Sequence, residues 1–244
     1  MNSEKNSKTK KQKKRLFDNF FYDFVKITGL IPSLIWIRPK ILRPYGTKTP
    51  KGKILVSANH KNLLDPIIVQ SVFPSRRLHC LATKDLFNTK TKHFFFSKVN
   101  CIIVDKENFT MSAFREVMTK LEEEKMVVIF PEGSIDLGKD DSIRAFKSGA
   151  VLMAHKANSA ILPLYIARRE KWYHRQYIVV GEPFDIRGEI GNVPTLDALN
   201  GATEKLRQKE LELREYYEST VASKKSKKES SEESEKENAY GKQI

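Results

Sequence analysis

Between residues 53 and 184 the chain alternates short apolar runs with longer segments whose apolar positions recur every three or four residues. KILVSA (53–58), LHCLAT (78–83), CIIVD (101–105), MVVIFP (126–131), ILPLYIA (161–167) and YIVVGEPF (177–184) are short and rich in β-branched residues, and they read as strands. LLDPIIVQSVF (63–73), TKHFFFSKV (91–99), MSAFREVMTKLEEE (111–124), AFKSGAVLMAHKA (145–157) and the stretch 194–218 read as helices. Most of these strands are apolar throughout rather than alternating, which predicts a sheet covered on both faces. The β-α-β rhythm predicts an α/β domain: a central, mostly parallel or mixed sheet flanked by helices, with right-handed crossovers. In such sheets ligands gather beyond the carboxyl ends of the strands, so chemistry is expected on strand-to-helix loops.

The pattern changes at both ends. Residues 1–15, MNSEKNSKTKKQKKR, hold seven Lys or Arg against one Glu, a sizeable share of the net charge of +14. This predicts a disordered polybasic arm that attracts polyanions, either nucleic acid or anionic lipid. Residues 16–40 follow, dense in Phe and Ile but interrupted by Asp18, Asp23 and Lys26, and carrying Pro32. Charges break up the apolar run needed to cross a bilayer, and no small-residue cleavage site follows for a secretory signal. Phe17, Phe20, Phe21, Phe24 and Trp36 beside a basic cluster predict an amphipathic helix lying in a membrane interface, with a core-packing helix as the plainer reading. The expected location is the cytoplasmic face of a membrane, peripheral or monotopic. The domain proper is expected over 41–221, and 222–244 is too polar to offset its ordering entropy, which predicts a disordered tail.

Cys80 and Cys101 lie in apolar surroundings with no C-x-x-C pair and read as small buried hydrophobes. The five histidines show no metal-type spacing, so no bound metal is expected. SANHKNLLD (57–65) is the loop that stands out. His60 falls after a strand, and Asn62 is placed to cap the next helix, which would make Asp65 its third residue. First-turn side chains tilt back toward the helix start, so Asp65 reaches toward His60, and the spacing permits a dyad in which the imidazole takes a proton and the carboxylate fixes its tautomer. The same residues also suit an ordinary helix start, with Asp65 favouring the dipole.

Four blocks in order carry a resemblance. They are NHKNLLDP, NCIIVDKE, FPEGS (130–134) and ILPLYI, supported by KDLF, FKSGA and VVGEPF over roughly residues 35–215. The chain resembles the glycerophospholipid acyltransferase superfamily, and most closely its lysophosphatidic acid acyltransferases, with their N-H-x-S-x-x-D and F-P-E-G-T-R blocks. The resemblance implies acyl transfer from a thioester, acyl-CoA or acyl carrier protein, to a lysophospholipid hydroxyl with no further cofactor. It assigns catalysis to His60 and Asp65 and acceptor binding to Lys106, Glu132, Gly133 and Ser134. Departures are Asn62 for serine, Lys106 for arginine and Ile135 for arginine. Losing the arginine fork weakens a phosphate contact, and Arg144 or Lys139 is expected to return a cation; otherwise the acceptor is less anionic. A thioester hydrolase using Ser57 has no G-x-S-x-G elbow. An inactive lipid-binding relative also stays open, and no DNA- or RNA-binding motif supports a nucleic-acid partner.

Overall fold

In the computed structural model, residues 2–105, 111–136, 142–169, 171, 173–191 and 193–240 are described. Seven strands form one mixed sheet: β1 (Lys40–Leu42), β2 (Ile54–Ala58), β3 (Leu78–Thr83), β4 (Cys101–Val104), β5 (Met126–Ile129), β6 (Ile161–Ile166) and β7 (Tyr177–Val180), in the order β1-β7-β6-β2-β5-β3-β4. β6, β2, β5, β3 and β4 run parallel, while β7 pairs antiparallel with β6 and parallel with β1. Every residue of β2, β5 and β6 is buried, as their unbroken apolar runs require of strands covered on both faces.

One face packs around Val56, Ala58, Val128, Leu162 and Leu164 under α2 (Asp65–Val72). The other packs Leu55, Val127, Ile129 and Ile161 under α4 (Met111–Glu122), α5 (Gly149–Ala157) and the long α7 (Leu196–Tyr240). Two shorter helices, α3 (Lys90–Lys98) and α6 (Arg187–Ile190), complete the set with α1 (Asn2–Ile37). Pro163 sits inside β6, and Gly181 at the end of β7 makes room for it: a Cβ there would lie 2.8 Å from the proline ring. That contact gives the ILPLYI and VVGEPF runs a shared structural reason. Cys80 and Cys101 face each other in the β3–β4 register as free thiols, and burial pushes the Cys101 thiol up to about 12.

Helical backbone covers 2–15 and continues to Tyr240. α1 also runs unbroken through Pro32, and Asp18–Ile37 is long and apolar enough to cross a membrane by length and composition, although its charges suggested otherwise. It is tied to the domain along one side. The buried Tyr22 hydroxyl donates to Gln70 and accepts from the Leu78 amide at 2.9 Å, and Asp23 takes a two-point contact from Arg77.

Candidate active site

β2 and β5 are neighbours, but the chain leaves β2 through α2 toward β3 on one side and leaves β5 through α5 toward β6 on the other. Loops that part in opposite directions open a crevice at the strand ends, and the two strongest motifs, SANHKNLLD and FPEGS, are those two loops.

His60 is placed by the residue before it. The Asn59 side chain is fully buried and bonds both backbone groups of Ile166, donating at 2.9 Å and accepting at 2.7 Å, which stitches the end of β2 to the end of β6. His60 then turns its Nδ1 to Asp65 Oδ2 at 2.8 Å. The same carboxylate oxygen accepts the Lys61 and Asn62 amides at 2.7 and 2.9 Å, so Asp65 shapes the loop that presents its own partner. The helix starts two residues later than the sequence suggested. Asn62 Oδ1 accepts from the Leu64 amide in a local Asx turn, and Asp65 is the first helical residue rather than the third. The His60 ring stacks on Phe130, centroids 4.2 Å apart. With Nδ1 engaged and 17% of the side chain exposed, Nε2 is the nitrogen left to receive a proton.

The β5 loop is built differently. Gly133 adopts φ +75°, a conformation that side-chain-bearing residues rarely take, and its amide closes a tight turn onto Phe130 O at 3.0 Å. A Cβ there would also meet Lys147 Cε at 2.9 Å. Glu132, its side chain fully buried, accepts the His60 amide at 3.1 Å on one oxygen and Arg144 Nε at 2.9 Å on the other. Arg144 also donates to Ser134 Oγ at 3.2 Å and to the Ser134 carbonyl. Lys61, from the first loop, reaches Asp136 on the second at 2.9 Å, and the Asp136 amide returns a bond to His60 O at 2.8 Å.

Of the residues singled out in the sequence, the structure brings His60, Asp65, Glu132, Gly133, Ser134 and Arg144 into one network. Lys106 and Lys139 lie outside the described residues. Ser57 is no exposed nucleophile: it is fully buried inside β2, and its hydroxyl donates at 2.6 Å to Glu210 on α7. Glu210 went unread, because a lone Glu in a helix as charged as α7 gives no periodic signal. Lys147 and Phe130 went unread as site residues for a similar reason, since each belongs to a run with an adequate packing explanation.

The Acyltransferase family model covers residues 41–167, more than half of the chain. A probable 1-acyl-sn-glycerol-3-phosphate acyltransferase of Mycoplasma pneumoniae is 30% identical over 156 residues, 59% of this chain and 55% of that protein. A 1-acyl-sn-glycerol-3-phosphate acyltransferase of Bacillus subtilis is 25% identical over 164 residues, 65% of this chain and 80% of that protein. The match thus spans little more than half the length of the Mycoplasma relative. The fold is similar to that of the lysophosphatidic acid acyltransferase PlsC of Thermotoga maritima, with a TM-score of 0.59 at 17% identity over 85% of this chain and 83% of that one. The chain belongs to the Acyltransferase family.

Proposed function

We propose that this chain transfers a fatty acyl group from a thioester, acyl-CoA or acyl carrier protein, to the free hydroxyl of a lysophospholipid, with lysophosphatidic acid the preferred acceptor and phosphatidic acid the product. The observation that carries the reading is the His60–Asp65 contact at 2.8 Å on the loop leaving β2. In this reading His60 Nε2 takes the acceptor hydroxyl's proton as its oxygen attacks the thioester carbonyl. The tetrahedral adduct collapses by breaking the carbon–sulfur bond, and the imidazolium returns the proton to the departing thiolate. Asp65 holds the tautomer and steadies the cation. A thioester is already activated, so no covalent intermediate and no further cofactor are required.

The acceptor's phosphate has cations to meet despite Ile135. Arg144 uses three of its five donors on Glu132 and Ser134, and the exposed Lys147 lies against Gly133. Membrane attachment follows the same logic. α1 leaves Phe20, Phe24, Ile27, Ile31 and Ile35 exposed at helical spacing, with its opposite side bonded to the domain. α3 adds exposed Phe94 and Phe95 beside Lys90 and Lys92, and both rings meet Phe21 of α1 edge-on. An apolar stripe flanked by lysines suits a helix lying on the anionic, cytoplasmic face of a bilayer.

The test is thiol release from acyl-CoA or acyl carrier protein on anionic vesicles, with and without each of several lysolipids. Acceptor-dependent release, highest with lysophosphatidic acid, supports the reading; equal release without acceptor makes the protein a hydrolase, and a preferred zwitterionic acceptor overturns the phosphate assignment.

A further inference from the structure

The fully buried carboxyl of Glu210 on α7 lies behind the exit of β2, on the opposite side of the sheet from α2. It accepts the Ser57 hydroxyl at 2.6 Å and interacts with the backbone amide of Asn59, the residue that leads into His60. Its second oxygen has no hydrogen-bond partner among the described residues. Burying a carboxyl there is costly in either form, as a desolvated charge or as a polar group with an unpaired oxygen, whereas leucine at the same position would simply fill the core. We propose that Glu210 is a positioning residue for acyl transfer: α7 uses its carboxyl as the fixed point from which the end of β2, and so the His60 ring, is aimed.

Two further features agree. Asn59 is held between Glu210 on one side and both backbone groups of Ile166 on the other, so the strand exit has little freedom once the carboxyl is in place. Burial, with Glu132 nearby as a like charge, also holds Glu210 well above the usual carboxylate range. Burial disfavours its charged form, so Glu210 is held toward the protonated state. Neutral Glu210 positions the loop without adding a second negative charge beneath the dyad.

This rests on the acyl-transfer reading, and the experiment separates the two. The full-length chain is assayed on anionic vesicles as wild type, Glu210→Leu, Glu210→Gln and Ser57→Ala, with melting temperature measured for each. Misplacing a catalytic group by about 1 Å costs up to ~10²-fold, so E210L is expected to lose about 10- to 100-fold in kcat with little change in either KM. E210Q, neutral and still an acceptor for Ser57, should recover to within about threefold of wild type, and S57A should lose about three- to fivefold in kcat. Nitrogen-15 shifts of the His60 ring supply a readout that needs no acceptor: E210L moves them and E210Q does not. The proposal is overturned if E210L keeps full kcat and wild-type shifts, if E210Q is as impaired as E210L, or, should E210L fail to fold, if S57A is unchanged. A wild type that releases no thiol for any lysolipid removes the acyl-transfer reading while leaving the ring shifts to judge the positioning.

Discussion

The loops leaving β2 and β5 lie side by side and serve one crevice, yet they are held by different means. The β2 loop supplies most of the partners of its dyad itself: within six residues, Asp65 accepts two backbone amides and the His60 ring, and Asn62 caps the turn between them, while Glu132 and Asp136 add bonds to the His60 backbone. The β5 loop is held from outside. Its buried Glu132 and its Ser134 are both bonded by Arg144, ten to twelve residues further on, and its left-handed Gly133 lies under Lys147. A loop that carries its own partners keeps its shape when neighbouring segments vary. A loop closed by distant side chains lets those segments tune what it binds. The first suits invariant chemistry and the second suits selectivity.

The largest effect should come from breaking the β2 loop. His60→Ala is expected to lower kcat by about 10²–10⁴-fold, the usual worth of a general base, with melting temperature little changed because the ring is partly exposed. Asp65→Asn should cost about 10²-fold: the amide oxygen can still take the three contacts that one carboxylate oxygen makes, but without the negative charge the side chain no longer fixes the tautomer or steadies the imidazolium. Acyl-transfer rates with melting curves check both. A His60→Ala enzyme with near-normal kcat removes the dyad from the chemistry.

The next effect is on stability and belongs to the β5 loop. Arg144→Ala leaves the buried Glu132 carboxylate without its cation, and since the arginine is 39% exposed, water softens the loss to about 1–3 kcal/mol. In a chain of this size that is a fall of roughly 3–10 °C in Tm. Glu132→Gln in the same background removes the orphaned charge, so the double variant should regain most of the loss. Strict additivity of the two substitutions would show that the pair is not coupled.

What the sequence disclosed follows the same division. The sheet, its covered faces and the His60–Asp65 loop were legible because each rests on residues close in sequence: unbroken apolar runs for β2, β5 and β6, and one carboxylate five positions from its histidine. Even there the helix start was misplaced, since Asn62 serves a local turn instead of capping α2. Glu210 is the opposite case. It meets Ser57 across 153 positions, and one glutamate among many in α7 is marked only by the register that turns it inward. Likewise, nothing local says that Tyr22 binds Gln70 and so fixes α1 along one side.

The smallest expected effect concerns Ile135, and it sharpens the comparison most. The resemblance places an arginine there, adjacent to the glutamate and glycine of the loop, whereas here the cation arrives from Arg144 and occupies Glu132 and Ser134. If the second loop is closed from outside, the two arginines are alternatives. Ile135→Arg should therefore change little in the wild type, because the acceptors that would orient it are taken. In the Arg144→Ala background it should restore about threefold of the lost preference for lysophosphatidic acid over lysophosphatidylcholine, read as a ratio of kcat/KM values. Non-additivity is the signature of a shared site. Should Ile135→Arg raise that preference equally in both backgrounds, the two positions act independently, and Arg144 closes the loop without standing in for the missing arginine.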